Sequence, residues 1–182
     1  MQIVIRDAAE GDIAAIAEIY KYYVQTSICT LELLEPSLDE LQERFTDVLA
    51  SHEPFIVAVN PGDHSICGYA YSGPFNSRAG YNHTAEDSIY IHKDYCNAGL
   101  GGRLLRELLD RLIAAGKIKQ VLAKISLEPG SAIEQWPSCH LHMSCGFKAA
   151  GMLKHVGRKF DQWLDVVILQ LDILDYAGDR SR

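Results

Sequence analysis

Between Asp94 and Leu112 the chain reads DYCNAGLGGRLLRELLDRL, in which Gly99, Gly101 and Gly102 run straight into a leucine-rich helical pattern. Leu100, Leu104, Leu105, Leu108 and Leu112 fall at helical spacing and mark one buried stripe, and Gly116 is placed to cap its end. The first amides of any helix have no acceptor within it. With the positive end of the helix dipole they attract an anion, and glycine lets that anion approach the backbone closely. Two readings of the turn therefore stand: an anion site, or a tight bend whose glycines serve conformation alone. Spacing excludes two other phosphate motifs. A dinucleotide fingerprint needs a third glycine where Leu104 stands. A P-loop needs Ser or Thr after Gly-Lys, and Gly116-Lys117 is followed by Ile118.

The segments around this helix alternate in type. Gln2–Arg6 alternates as a strand, and Ile13, Ile16, Ala17, Tyr20, Tyr23 and Val24 recur as a helix. Ser37 with Glu40 is a capping box opening a second helix to about Ala50. Phe55–Asn60 and Ile66–Ser72 form a hairpin around PGDH, and Thr84–His92 is a further strand. Gln120–Ile125 is a strand, and Pro137 starts a short helix through Cys145 that Gly146 ends. Ala149–Val156 and Trp163–Leu171 are strands flanking GRKFDQ. Residues 1–174 are expected to form one domain and residues 175–182 a polar tail. The order predicts a mixed α/β sheet, not a doubly wound one.

Composition narrows the partners. Of 182 residues, 48% are hydrophobic and 23% charged, with a net charge of −7 and no basic stripe. That argues against nucleic acid and against a membrane-surface anchor. No segment reaches the roughly 18 apolar residues of a membrane span. The start, MQIVIRDAAEGD, does not read as a secretory signal. Five scattered cysteines without a C-x-x-C complete the expectation of a reduced, cytoplasmic protein.

The chain also carries IRDA (Ile5–Ala8), GYAYSGPF (Gly68–Phe75), GYNHTAEDSIYIH (Gly80–His92), GLGGRLL (Gly99–Leu105), LHMSCGF (Leu141–Phe147) and VGRKFDQWLDVVILQL (Val156–Leu171). Together, in this order, they resemble the GNAT superfamily of N-acetyltransferases, and within it the phosphinothricin and methionine sulfone acetyltransferase branch. The resemblance implies the GNAT fold: a mostly antiparallel central sheet of six to seven strands with about four helices. It implies acetyl-CoA as co-substrate and a homodimer, which the apolar run LDVVILQL also favours.

What the resemblance implies for individual residues can be set out along the chain. Ile89, Tyr90 and Ile91, then Asn97, Ala98, Gly99, Leu100, Gly101, Gly102 and Arg103, with Gln135 and Ser138, would hold the cofactor. Cys96-Asn97 stands where the family has Arg-Gly, and Gln135 stands for its pantetheine-binding asparagine. Glu86 matches the catalytic glutamate. Alternation puts it with Thr84, Ser88 and Tyr90 on one strand face, and Ala85, Asp87, Ile89 and Ile91 on the other. Asp87 is expected to be solvent-facing or structural. His142 matches the residue that would protonate the departing thiolate. Phe75, Arg78, Tyr81, Thr84, Lys159, Phe160 and Trp163 would form the substrate pocket, the last three reaching in from a neighbouring subunit. Tyr20, Tyr22 and Tyr23 near the first helix are placed to close it, although Tyr20 and Tyr23 equally fit plain core packing. His140 and His142 are two apart on a helix, which suits no shared metal, and no metal is expected.

The expected function is direct, ternary-complex acetyl transfer from acetyl-CoA to the amine of a small amino-acid-like molecule. Two alternatives stay open: a protein or peptide N-acetyltransferase, and a catalytically weak CoA-binding module.

Overall fold

The computed structural model describes residues 3–179. Its strands are β1 (Val4–Asp7), β2 (Phe55–Val59), β3 (Ile66–Pro74), β4 (Thr84–Ile91), β5 (Gln120–Leu127), β6 (Lys148–Lys159) and β7 (Gln162–Asp172). They form one sheet in the order β1-β2-β3-β4-β5-β7-β6, antiparallel throughout except between β4 and β5. The helices are α1 (Ile13–Thr26), α2 (Leu38–Ala50), α3 (Leu100–Ala115), α4 (Pro137–Ser144) and α5 (Ile173–Asp179). This is a mixed, mostly antiparallel α/β architecture, with seven strands and five α-helices among the described residues. No described helix is long and apolar enough to cross a membrane.

Both faces of the sheet are covered, which is why β2 reads as an unbroken apolar run and is buried at every residue. Phe55, Val57 and Val59 pack with Ile13, Ile16 and Ile19 of α1 and Phe45 and Val48 of α2. Ile56 and Ala58 turn to the other face and meet Leu100, Leu104 and Leu108 of α3. A second row on α3, Leu105, Leu109 and Leu112, packs with Ala85 of β4, Val121 and Ala123 of β5 and Val167 of β7. One helix thus buries two adjoining leucine rows, one against each half of the sheet. Gly116 ends it in the left-handed conformation at φ 69°. The Ser37–Glu40 capping box is present, with Glu40 N donating to Ser37 Oγ at 3.2 Å and Ser37 N to Glu40 Oε2 at 2.7 Å.

The sheet comes apart in its middle. β4 and β5 are paired at only three positions, Thr84 with Gln120, Ala85 with Val121 and Glu86 with Leu122. Beyond them β4 stays with β3 as far as Ile91, while β5 stays with β7 as far as Leu127. From Asp87 onward the two strands diverge and their facing backbone groups are not joined to one another.

Two expectations need correction. Residues 173–179 form helix α5 rather than a loose tail, because Ile173 and Tyr176 drop into the core beside Leu171. Strand β7 lies between β5 and β6, so the apolar run LDVVILQL is accounted for by core packing rather than by an interface. Gln2 and residues 180–182 lie outside the described residues.

Candidate active site

At the open end of the split, β4 leads through the turn 92–99 into α3. The turn folds on itself, with Tyr95 N donating to His92 O at 2.8 Å and Asp94 N to His92 Nδ1 at 3.3 Å. Asn97 and Gly99 take left-handed conformations, φ 60° and 75°. Glycine does so without strain, and asparagine is among the few other residues that tolerate it. Gly99 offers no side-chain cap. Among the described residues the amides of Asn97, Ala98, Gly99, Leu100, Gly101 and Gly102 meet no acceptor, and the helical ladder begins with Arg103 N on Gly99 O at 3.3 Å. Six consecutive peptide nitrogens are therefore available beside the positive end of a 16-residue helix. The neighbouring side chains fix this first turn. A Cβ on Gly101 would stand 3.2 Å from Leu141 Cδ2 of α4 and 4.0 Å from Ile91 Cγ1. Arg103, grouped with this loop from the sequence, is otherwise engaged: its amide bonds within α3 and its guanidinium donates to Ile3 O at 2.7 Å.

Glu86 occupies the last paired position of β4, where the split begins. Its face carries Tyr90, whose ring lies 5.1 Å from Tyr20, 5.3 Å from Tyr69 and 5.5 Å from Tyr23. Tyr20 bonds Thr30 Oγ1 at 2.9 Å, and burial pushes its hydroxyl up to about 12. Tyr23 donates to Ile91 O at 2.5 Å, tying α1 to the end of β4, while Tyr22 is exposed. Glu86 is half-buried and ion-paired with Lys124 of β5, Nζ to Oε2 2.6 Å. Sequence reasoning missed Lys124. The available signal was a lysine interrupting the apolar strand VLAKIS.

Asp87 points to the opposite face and is buried, not solvent-facing. Its Oδ2 lies 2.9 Å from His142 Nε2, and His142 Nδ1 donates to Ser138 O at 2.7 Å. Asp87 Oδ1 is buried with no hydrogen-bond partner among the described residues. Burial disfavours the charged imidazole, but the charge and hydrogen bond of Asp87 and the Ser138 carbonyl outweigh it, so His142 titrates above its ordinary value. With both ring nitrogens engaged and only 4% of its surface exposed, His142 is not presented as an open proton donor. Its geometry fixes α4 against β4.

The remaining pocket residues separate into two groups. Phe75, Tyr81 and Thr84 stay close to Glu86: the Phe75 ring packs 5.5 Å from Tyr81 and 5.6 Å from Lys124 Nζ. Lys159 is buried within its own chain and donates to Thr30 O at 2.8 Å, where burial lowers its pKa. It is committed to the α1–α2 loop and is not available to another subunit's pocket. Phe160, Trp163 and Arg78 are exposed, and Gln135 is exposed in the turn before α4. A broad groove of about 1070 Å³ between α5, β6 and β7 touches none of these residues.

A free-amide turn after β4, a sheet split at a carboxylate and a helix closing the far face together form a distinctive arrangement. Residues 5–168 match the acetyltransferase (GNAT) domain. The chain belongs to the GNAT acetyltransferase family. This GNAT chain is 36% identical to a phosphinothricin N-acetyltransferase of Alcaligenes faecalis over 97% of its own length and 85% of that protein's. It is 32% identical to an L-methionine sulfoximine/L-methionine sulfone acetyltransferase of Pseudomonas aeruginosa, covering 95% and 96% of the two chains. A crystal structure of a GNAT phosphinothricin acetyltransferase from Sinorhizobium meliloti in complex with AcCoA superposes with a TM-score of 0.85 at 34% identity, covering 94% and 89%. In this GNAT loop Asn97 takes the left-handed conformation that a glycine adopts freely. Cys96 lies 3.6 Å from both His92 O and Tyr23 Oη.

Proposed function

We propose that this protein transfers the acetyl group of acetyl-CoA to the amine of a small amino-acid-like substrate of the phosphinothricin or methionine sulfone kind, directly within a ternary complex. The observation that carries the reading is the run of unpartnered amides from Asn97 to Gly102, opening onto a strand split whose apex holds Glu86. Those amides fit a pyrophosphate, and the diverging backbones of β4 and β5, with Ile89 and Ile91, suit a narrow arm carrying amide groups. When bound, acetyl-CoA supplies an acetyl thioester. Glu86, at the split's apex on the face of α1 and α2, takes the proton from the substrate ammonium. Tyr20, Tyr23 and Tyr90 wall that side and exclude water. The Asp87–His142 pair, on the other face, holds α4 in place.

The rest of the reading follows from the same features. Five unpaired cysteines suit the reducing cytoplasm. Exposed Leu153 and Val156 on β6, Phe160 in the turn after it and Trp163 on β7 support a homodimer, which light scattering tests by mass. The deciding experiment is thiol release from acetyl-CoA over a panel of amines including phosphinothricin and methionine sulfone, beside calorimetry with CoA. Turnover of amino-acid analogues is expected. CoA binding without turnover of any amine would leave only a binding module, and no CoA binding at millimolar concentration would reject the reading.

A further inference from the structure

Four cations of this part of the molecule, Lys159, Arg44, Arg78 and Lys124, differ in their engagements. Lys159 is buried and spends its proton on Thr30 O. Arg44 pairs with Glu32 at 2.6 Å. Arg78 projects from the β3–β4 loop into solvent. Lys124 alone of the four is held against Glu86 itself, at 2.6 Å, with 41% of its side chain exposed and its ammonium 5.6 Å from the Phe75 ring. It stands on β5 two residues beyond Leu122, which pairs with Glu86, so both side chains leave the sheet on the same face.

From this juxtaposition we infer that Lys124 is the residue that reads the acid group of the substrate, and so selects amines bearing a carboxylate next to the nitrogen. The inference rests on the acetyl-transfer reading above. A substrate amine within reach of Glu86 brings any carboxylate on its own α-carbon to the immediate flank of that glutamate, which Lys124 occupies. A zwitterion carries the two complementary charges. Its ammonium takes over Glu86, its carboxylate takes over Lys124, and one ion pair is exchanged for two. Phe75, whose ring already lies under the lysine, keeps the ammonium aimed at the site. An amine without the carboxylate must part Glu86 from Lys124 and leave the lysine unmatched, which makes the resident ion pair a filter.

Lys124→Met tests this with two probes, methionine sulfone and its decarboxylated counterpart 3-(methylsulfonyl)propan-1-amine. Loss of a charge-assisted contact predicts a KM for methionine sulfone raised roughly tenfold or more, with kcat changed by under about threefold. The KM for the decarboxylated amine should not rise and should fall if anything, because no resident ion pair has to be parted, and Lys124→Arg should restore most of the loss on methionine sulfone. An unchanged KM for methionine sulfone, or equal losses on both amines, overturns the inference. If the wild type acetylates neither amine, the transfer reading fails on its own, and calorimetry with methionine sulfone then decides the inference. Binding weakened about tenfold in Lys124→Met upholds it; equal affinity, or no binding to the wild type, overturns it.

Discussion

His142 Nε2 stands 2.9 Å from Asp87 Oδ2, joining α4 to the first residue of β4 beyond its pairing with β5, and both side chains are almost wholly buried. Because Ser138 O can only accept, His142 Nδ1 must carry a proton, and the Nε2–Oδ2 contact holds a second. Asp87→Asn removes the charge and keeps the shape. The buried imidazole then loses its compensation, and its pKa, followed by NMR, should drop below the ordinary value of about 6.5. Asp87→Ala also abandons the geometry and should cost about 3 kcal/mol in denaturant unfolding.

The same pair sets a pH dependence of stability. A folded-state pKa raised above the unfolded one means the contribution is complete below about pH 6.5 and drains away as the pH climbs through the folded value. Thermal unfolding of the wild type and His142→Gln should therefore differ most near about pH 6 and least near about pH 9. A gap that widens with pH would contradict this.

Glu86→Gln keeps the side chain's size and removes its basicity. Turnover should fall by more than about tenfold with the KM for acetyl-CoA little changed, because the loop amides lie elsewhere. Steady-state kinetics check both, and near wild-type turnover would remove Glu86 from the proton transfer.

Gly101→Val places a branched side chain where Leu141 Cδ2 already stands 3.2 Å from the position of a Cβ. Leu141 must give way or the first turn of α3 must shift, and the branched side chain crowds the open amides, so CoA affinity measured calorimetrically should weaken by roughly tenfold or more. Gly99→Ala meets no neighbour but must hold a left-handed backbone, and should cost about 1 kcal/mol of stability.

Local physics was legible in the sequence. The leucine spacing defined α3, Ser37 with Glu40 announced α2, and alternation along TAEDSIYIH placed Glu86 and Asp87 on opposite faces. The glycine-rich turn was visible from position, while the choice between an anion site and a plain bend rested on the family resemblance. What could not be read were relations between distant segments. Asp87 and His142 are 55 residues apart, and no periodicity encodes their meeting. Lys124 breaks an apolar strand, yet nothing local says which carboxylate it faces. That β4 and β5 part after Glu86 is likewise a relation between distant segments that no local pattern encodes. The final helix escaped notice because a seven-residue segment owes its order to the seating of Ile173 and Tyr176 in the core.

The two leucine rows of α3 give the molecule a tie-beam. The half built on β1–β4 and the half built on β5–β7 share three rungs of sheet, and the same helix is riveted to both. Its front end is also the proposed cofactor's landing, so whatever docks there rests on the spar that keeps the two leaves from drifting apart. Trimming Leu104 on one side or Leu109 on the other should therefore be felt at the mouth of the cleft as well as in the interior.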